Sequence, residues 1–259
     1  LRFLRIAAIW ENSFNYFYTD SQAESLLKNI SDEVLGRVNI DGLKNRYAII
    51  DSIGNDNKGL TQQYIRAMMS MGVEFMYVKT TGNLSPQSDI YKELKAYDKA
   101  IILTLEKNYD GIELARKIVG SLVTYSPSKI LLHLYPNDVV ALMACNAIQG
   151  PLKYNINLTD HAYWMGSSFI DYNIEFRGYG KTVSIEKRGL RKEQILSLPY
   201  YPVESKYVEF QGFPSMPKEA IKIFTGGSLY KMLGKNDVFF HLMDDILDLS
   251  PNAIILVAC

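Results

Sequence analysis

The chain has 259 residues, 28 Lys plus Arg against 28 Asp plus Glu, and 47% hydrophobic residues. This length suits one large domain or two modest ones with a sizeable core. The balanced charge offers no basic face to nucleic acid and no acidic tail, and no apolar run approaches the ~18–20 residues of a membrane span.

Residues 1–45 carry apolar positions at helical spacing (Leu26, Leu27, Ile30, Val34, Leu35, Val38) and read as helices and loops leading into the first domain. From residue 46 the pattern becomes regular. Tyr47 to Ile50 is a short β-type run, followed by a Gly/Asn/Asp-rich loop from Ser52 to Gly59. A helix then carries Leu60, Tyr64, Ile65, Met68 and Met69, and Gly72 stands where a C-cap is expected. Val73–Val78, Ala100–Leu105 and Lys129–Leu134 read as strands. They alternate with helices from Pro86 to Tyr97, Ile112 to Tyr125 and Asp138 to Ile148, and Tyr154–Leu158 closes the series. Apolar strands alternating with helices of 10–15 residues predict βαβ units and a doubly wound parallel sheet, an α/β Rossmann-like domain.

After residue 165 the rhythm changes. Phe169–Arg177 and Lys181–Lys187 read as further strands around a Gly178-Tyr179-Gly180 turn. Pro199 and Pro202 flank two tyrosines and read as a linker, since neither a helix interior nor a central strand holds such a pair. Ala220–Phe224, an amphipathic helix from Val238 to Leu249 and Ala253–Ala258 begin a second domain of the same kind. The expected division is 1–198 for the first domain, 199–219 for the linker and 220–259 for the start of the second. Two strands cannot bury both faces of a sheet, so this second portion reads as incomplete. Leu1 to Arg5 lacks Met and signal-peptide anatomy, and the chain reads as a fragment. Two cysteines, Cys145 and Cys259, are too few for a disulfide framework and suit a reducing cytoplasm.

Several motifs fail. Gly180-Lys181-Thr182 ends like a P-loop, but Glu175 stands where the first glycine is required. No G-x-G-x-x-G follows the first strand, no D-x-D and no G-x-S-x-G occurs, and His133, His161 and His241 form no metal-ligand spacing with the cysteines.

Three stretches survive. Asp51 to Thr61 leaves the first strand at the carboxyl edge of the sheet, where open α/β sheets bind ligands. Its glycines and short polar residues expose backbone N–H groups near a helix start, although a solvated βα loop has the same chemistry. Asn157 to Gly166 leaves a strand at the same edge and carries Asp160, His161, Tyr163 and Trp164. A histidine acts as base near neutral pH, an adjacent carboxylate favours its charged form, and the aromatics offer a face to a sugar ring. The plainer reading is a helix start capped by Asp160, with core aromatics. Gly226, Gly227, Ser228 and Lys231 form the third stretch, where glycines admit a diphosphate and a lysine offsets its charge. His133 ends a strand at the carboxyl edge, a place that packed histidines also take; His241 lies within a helix.

In order and spacing, these stretches resemble a glycosyltransferase of the GT-B type, with two Rossmann-like domains. The likeness rests on Asp51–Tyr64, Asn157–Gly166, Ile174–Arg177 through Arg188-Gly189 with Leu198–Pro202, and Gly226–Lys231. It implies an enzyme that passes a sugar from a nucleotide-sugar donor to a carbohydrate or other hydroxyl acceptor. It places Asp160 and His161 beside the reacting carbon, and Asp56, Lys58, Gly59, His133, Tyr163 and Trp164 on the acceptor side. Gly226, Gly227, Ser228 and Lys231 fall on the donor side. No cofactor and no metal are expected, the leaving diphosphate being offset by N–H groups, helix dipoles and basic side chains. Nucleic acid is not an expected partner, and peripheral membrane contact is left open. Two alternatives remain: a non-catalytic carbohydrate- or protein-binding module, and a nucleotide-sugar epimerase.

Overall fold

The computed structural model describes all residues except 15, 57–59, 104, 106–110, 202–208, 210, 211, 213, 214, 228–231, 234 and 259. Two compact units are formed, Leu1–Ser205 and Lys206–Cys259.

The larger unit is built on a seven-stranded sheet in which every pairing is parallel. Its strands are β2 (Leu43–Asp51), β3 (Glu74–Lys79), β4 (Ala100–Leu103), β5 (Pro127–His133), β7 (Leu152–Ile156), β8 (Tyr172–Glu175) and β9 (Ile195–Ser197), in the order β4-β3-β2-β5-β7-β8-β9. The two-residue strands β1 (Val38–Asn39) and β6 (Ile148–Gln149) pair separately. The order runs outward in both directions from β2 and β5, so the topological switch point lies between them. At such a point the two adjoining βα loops diverge and leave a crevice beyond the carboxyl ends of the strands.

Alternation along the strands sends side chains to two cores. Ala48, Ile50, Met76, Val78, Ile130 and Leu132 face α1 (Arg2–Phe14), α2 (Ser21–Val34), α5 (Gly111–Tyr125) and α6 (Val139–Ala147). Ile49, Phe75 and Tyr77 face α3 (Thr61–Ser70) and α4 (Asp89–Ala96). Burial on both faces is why these strands read as apolar throughout rather than alternating. The helix ends follow local chemistry. Ser88 and Asp138 accept backbone N–H groups at the starts of α4 and α6, and Gly72, just past α3, takes a φ of 67°.

Two expectations are corrected. The parallel series does not close at Leu158, because β8 and β9 extend the sheet. Lys181–Lys187 is not a strand: Gly178–Glu186 is the helix α7, which connects β8 to its parallel neighbour β9. Thr182, Val183 and Ile185 favour β-structure locally, but a parallel pairing needs a crossover, and that requirement overrides propensity.

In the smaller unit, β10 (Ile221–Gly226) and β11 (Ala253–Ala258) pair in parallel, with α8 (Val238–Leu249) between them in sequence. No residue of α8 is buried, and Phe224, Val238, Leu242 and Leu249 are exposed apolar side chains.

Candidate functional site at the carboxyl edge of the sheet

Four strands of the larger unit, β2, β5, β7 and β8, deliver polar side chains to one edge. At the switch point, Asp51 ends β2 and His133 ends β5, in register with each other. Both are fully buried, and His133 Nδ1 lies 3.1 Å from Asp51 Oδ1. The Asp51 carboxylate also accepts from the Ile53 and Gly54 N–H groups, from the Thr61 hydroxyl at 2.6 Å and from the Tyr77 hydroxyl at 2.8 Å. Burial alone raises this carboxyl, but the His133, Thr61 and Ile53 hydrogen bonds outweigh it and hold it below its ordinary value. His133 is thus the packed partner of a buried acid, with its Nε2 lacking a hydrogen-bond partner among the described residues.

The second group leaves β7 and β8. Asp160 is buried, whereas His161 exposes 64% of its side chain. His161 Nδ1 lies 3.2 Å from Asp160 Oδ1, and Arg177, just beyond β8, clamps both Asp160 oxygens through Nε and Nη2, the latter at 2.7 Å. Burial pushes the Asp160 carboxyl up. The Arg177 and His161 hydrogen bonds and charges overcome it, and the carboxyl titrates below its usual range. A carboxylate so held is an acceptor for a His161 Nδ1–H, and in that tautomer Nε2 carries the lone pair.

The loop that carries this pair is fixed from several directions. The Arg188 guanidinium donates from Nη2 to the carbonyls of Thr159, Asp160 and Ala162, and lies between the rings of Tyr18 and Trp164, 5.2 and 5.1 Å from their centroids. Burial holds its pKa down at about 10, against the opposing charges of Glu175 and Asp160. Glu24 of α2 accepts from the N–H groups of Gly166 and Ser167 and from the hydroxyls of Ser167 and Ser168. Gly166 takes a φ of 113°, a conformation that suits glycine. Asn12 of α1 donates to the Tyr163 carbonyl. The N-terminal helices therefore buttress the loop.

Beneath it, Glu175 Oε1 accepts from Asn157, Asn173 and Ser184, while Oε2 is buried without a hydrogen bond among the described residues. Burial raises the Glu175 carboxyl above its ordinary value despite those bonds.

The other residues singled out in the sequence take different places. Tyr163 and Trp164 are 1% and 5% exposed and belong to the core, so their rings face protein rather than a sugar. No helix starts at Asp160. The Asp56 carboxylate accepts the Asp89 and Ile90 N–H groups at the start of α4. Gly226 ends β10, and the Gly227 N–H donates to the Ala258 carbonyl. Lys58, Gly59, Ser228 and Lys231 lie outside the described residues. Among the described residues, no group of three or more His, Cys, Asp or Glu side chains could hold a metal ion, and no helix is long and apolar enough to cross a membrane. Sequence reasoning missed the roles of Asp51, Arg177 and Arg188. Asp51 had a signal, an acid ending an apolar strand; the two arginines had none.

Solved structures share this architecture. A putative UDP-N-acetylglucosamine 2-epimerase from Listeria monocytogenes aligns with a TM-score of 0.53 and 11% identity over 83% of this chain and 62% of that one. A mutant of the Thermobaculum terrenum O-GlcNAc transferase aligns with a TM-score of 0.53 and 12% identity over 98% of this chain and 48% of that one. The fold is of the GT-B type. The chain spans less than two thirds of the length of either protein. No protein-family model matches the sequence, and no curated protein matches it.

Proposed function

We propose that the protein transfers a sugar from a nucleotide-sugar donor to a hydroxyl acceptor, with His161 as the base. The observation that carries this reading is the exposed imidazole at the carboxyl edge, held at Nδ1 by the buried, Arg177-clamped Asp160. His161 Nε2 takes the proton of the acceptor hydroxyl as that oxygen attacks the anomeric carbon, and the bond to the nucleoside diphosphate breaks. Asp160 orients the ring and stabilises the imidazolium that forms. The donor is assigned to the segment of Gly226, Gly227, Ser228 and Lys231, whose cation would offset the diphosphate; no metal is required on this reading. The acceptor lies against the carboxyl edge near His161. A cytoplasmic location fits the buried thiol of Cys145.

His161→Ala and Asp160→Asn in the full-length protein test this assignment. Loss of a general base lowers kcat by about 10²–10⁴-fold. His161 is exposed, so its replacement leaves the fold intact and the loss is chemical. Unchanged turnover in His161→Ala would remove it from the mechanism.

A further inference from the structure

At the opposite, amino-terminal edge of the sheet is a polar cavity of about 340 Å³. Its walls come from α2, the Gly150-Pro151 turn with the start of β7, and the loop from Ser168 to Asp171. Lys153 forms part of it and is 5% exposed. Its ammonium lies 5.9 Å from the Phe169 ring centroid, and it makes no ion pair with any carboxylate among the described residues. Two carboxylates line the cavity, and both are engaged: Asp171 accepts the Lys153 backbone N–H at 2.7 Å, and Asp32 is paired with Arg37. Lys28, exposed on α2, adds a second cation, with no carboxylate within ion-pair distance among the described residues.

A largely buried ammonium with no ion pair of its own is costly to keep, the Asp171 carboxylate acting on it only from beyond ion-pair distance, and the cost is relieved when an anion enters. Burial pushes the Lys153 amine below its ordinary value, outweighing the opposing charge of Asp171. We infer that this cavity binds a small oxyanion, the carboxylate or phosphate of an acidic metabolite, held by Lys153 and Lys28. The site is separate from the carboxyl edge and does not depend on the sugar-transfer reading.

Calorimetric titration of the chain with inorganic phosphate and, separately, with acetate tests the site at constant ionic strength. One equivalent of at least one anion is expected to bind, and the better of the two names the class. Lys153→Met keeps the apolar stem and removes the charge, and is expected to weaken binding at least about tenfold, the loss of ~1.4 kcal/mol of interaction. Lys28→Met, on the exposed face of α2, folds without difficulty and is expected to weaken binding a few-fold. Absence of heat with both anions, or an affinity unchanged in both variants, would overturn the proposal.

Discussion

Asp160 shows how one carboxylate organises a surface. Nearly all of it is out of water, a state that costs free energy unless charge-assisted hydrogen bonds replace the hydration, and Arg177 and His161 supply them. Its folded pKa is depressed below the unfolded value of about 3.8, so the folded state binds fewer protons than the unfolded one at acid pH. Stability from Asp160 is therefore complete above that unfolded value and disappears as pH falls through the folded one. Denaturant unfolding of wild type and Asp160→Asn is expected to differ by roughly 2 kcal/mol at pH 7, the scale of hydrogen bonds to a charged group. The gap should narrow as pH falls below about 3.8, the unfolded value; a gap independent of pH would show that the charge is not what the pocket holds. The Asp160-His161 adjacency was legible because it follows a strand directly. Arg177 and Arg188 were not, since they reach the same loop from 17 and 28 residues downstream, and a charged loop residue carries no periodicity. The aromatics misled for a related reason: a ring after a strand packs inward or outward on the same pattern, and Trp164 packs inward against Arg188.

Helix α7 is the element that sequence reading placed worst and that the site needs closely packed. Its β-branched residues favour a strand, and its two glycines weaken a helix by roughly 1 kcal/mol each. Both signals lose to the crossover between β8 and β9. Gly180 has a packing reason: a Cβ there would run into Glu175 Oε2 and come within 2.9 Å of Asp160 Cβ. Glu175 cannot swing away without losing its hydrogen bonds to Asn157, Asn173 and Ser184. Gly180→Ala is expected to destabilise the larger unit by about 1–2 kcal/mol, overpacking outweighing the gain in helix propensity. Gly178→Ala, which meets nothing within 4 Å, is expected to be neutral or stabilising. Thermal unfolding of the two variants checks the contrast, and equal behaviour would mean that α7 does not press on the site. By comparison, β2, β3 and β5 were readable from sequence because burial on both faces leaves an apolar run.

For the molecule as a whole, the strand order decides where chemistry can occur. All seven strands of the main sheet run the same way, so Asp51, His133, Asp160, His161 and Arg177 all belong to its carboxyl edge, and the cavity lined by Lys153 falls at the other end. Sequence alternation was enough to predict a doubly wound sheet and a strand over Phe169–Arg177, where β8 lies, but not β9, which is only three residues long. The smaller unit contributes the parallel β10–β11 pair and α8, and the basic residue assigned to the donor, Lys231, lies outside the described residues. The central claim is that the carboxyl edge moves a sugar between two molecules. Its most direct test is product analysis of the full-length protein incubated with a panel of nucleotide sugars, with and without hydroxyl acceptors. The expected result is nucleoside diphosphate and glycoside in equal amounts, formed only when an acceptor is present and lost in His161→Ala. An isomerised nucleotide sugar formed without any acceptor would contradict it.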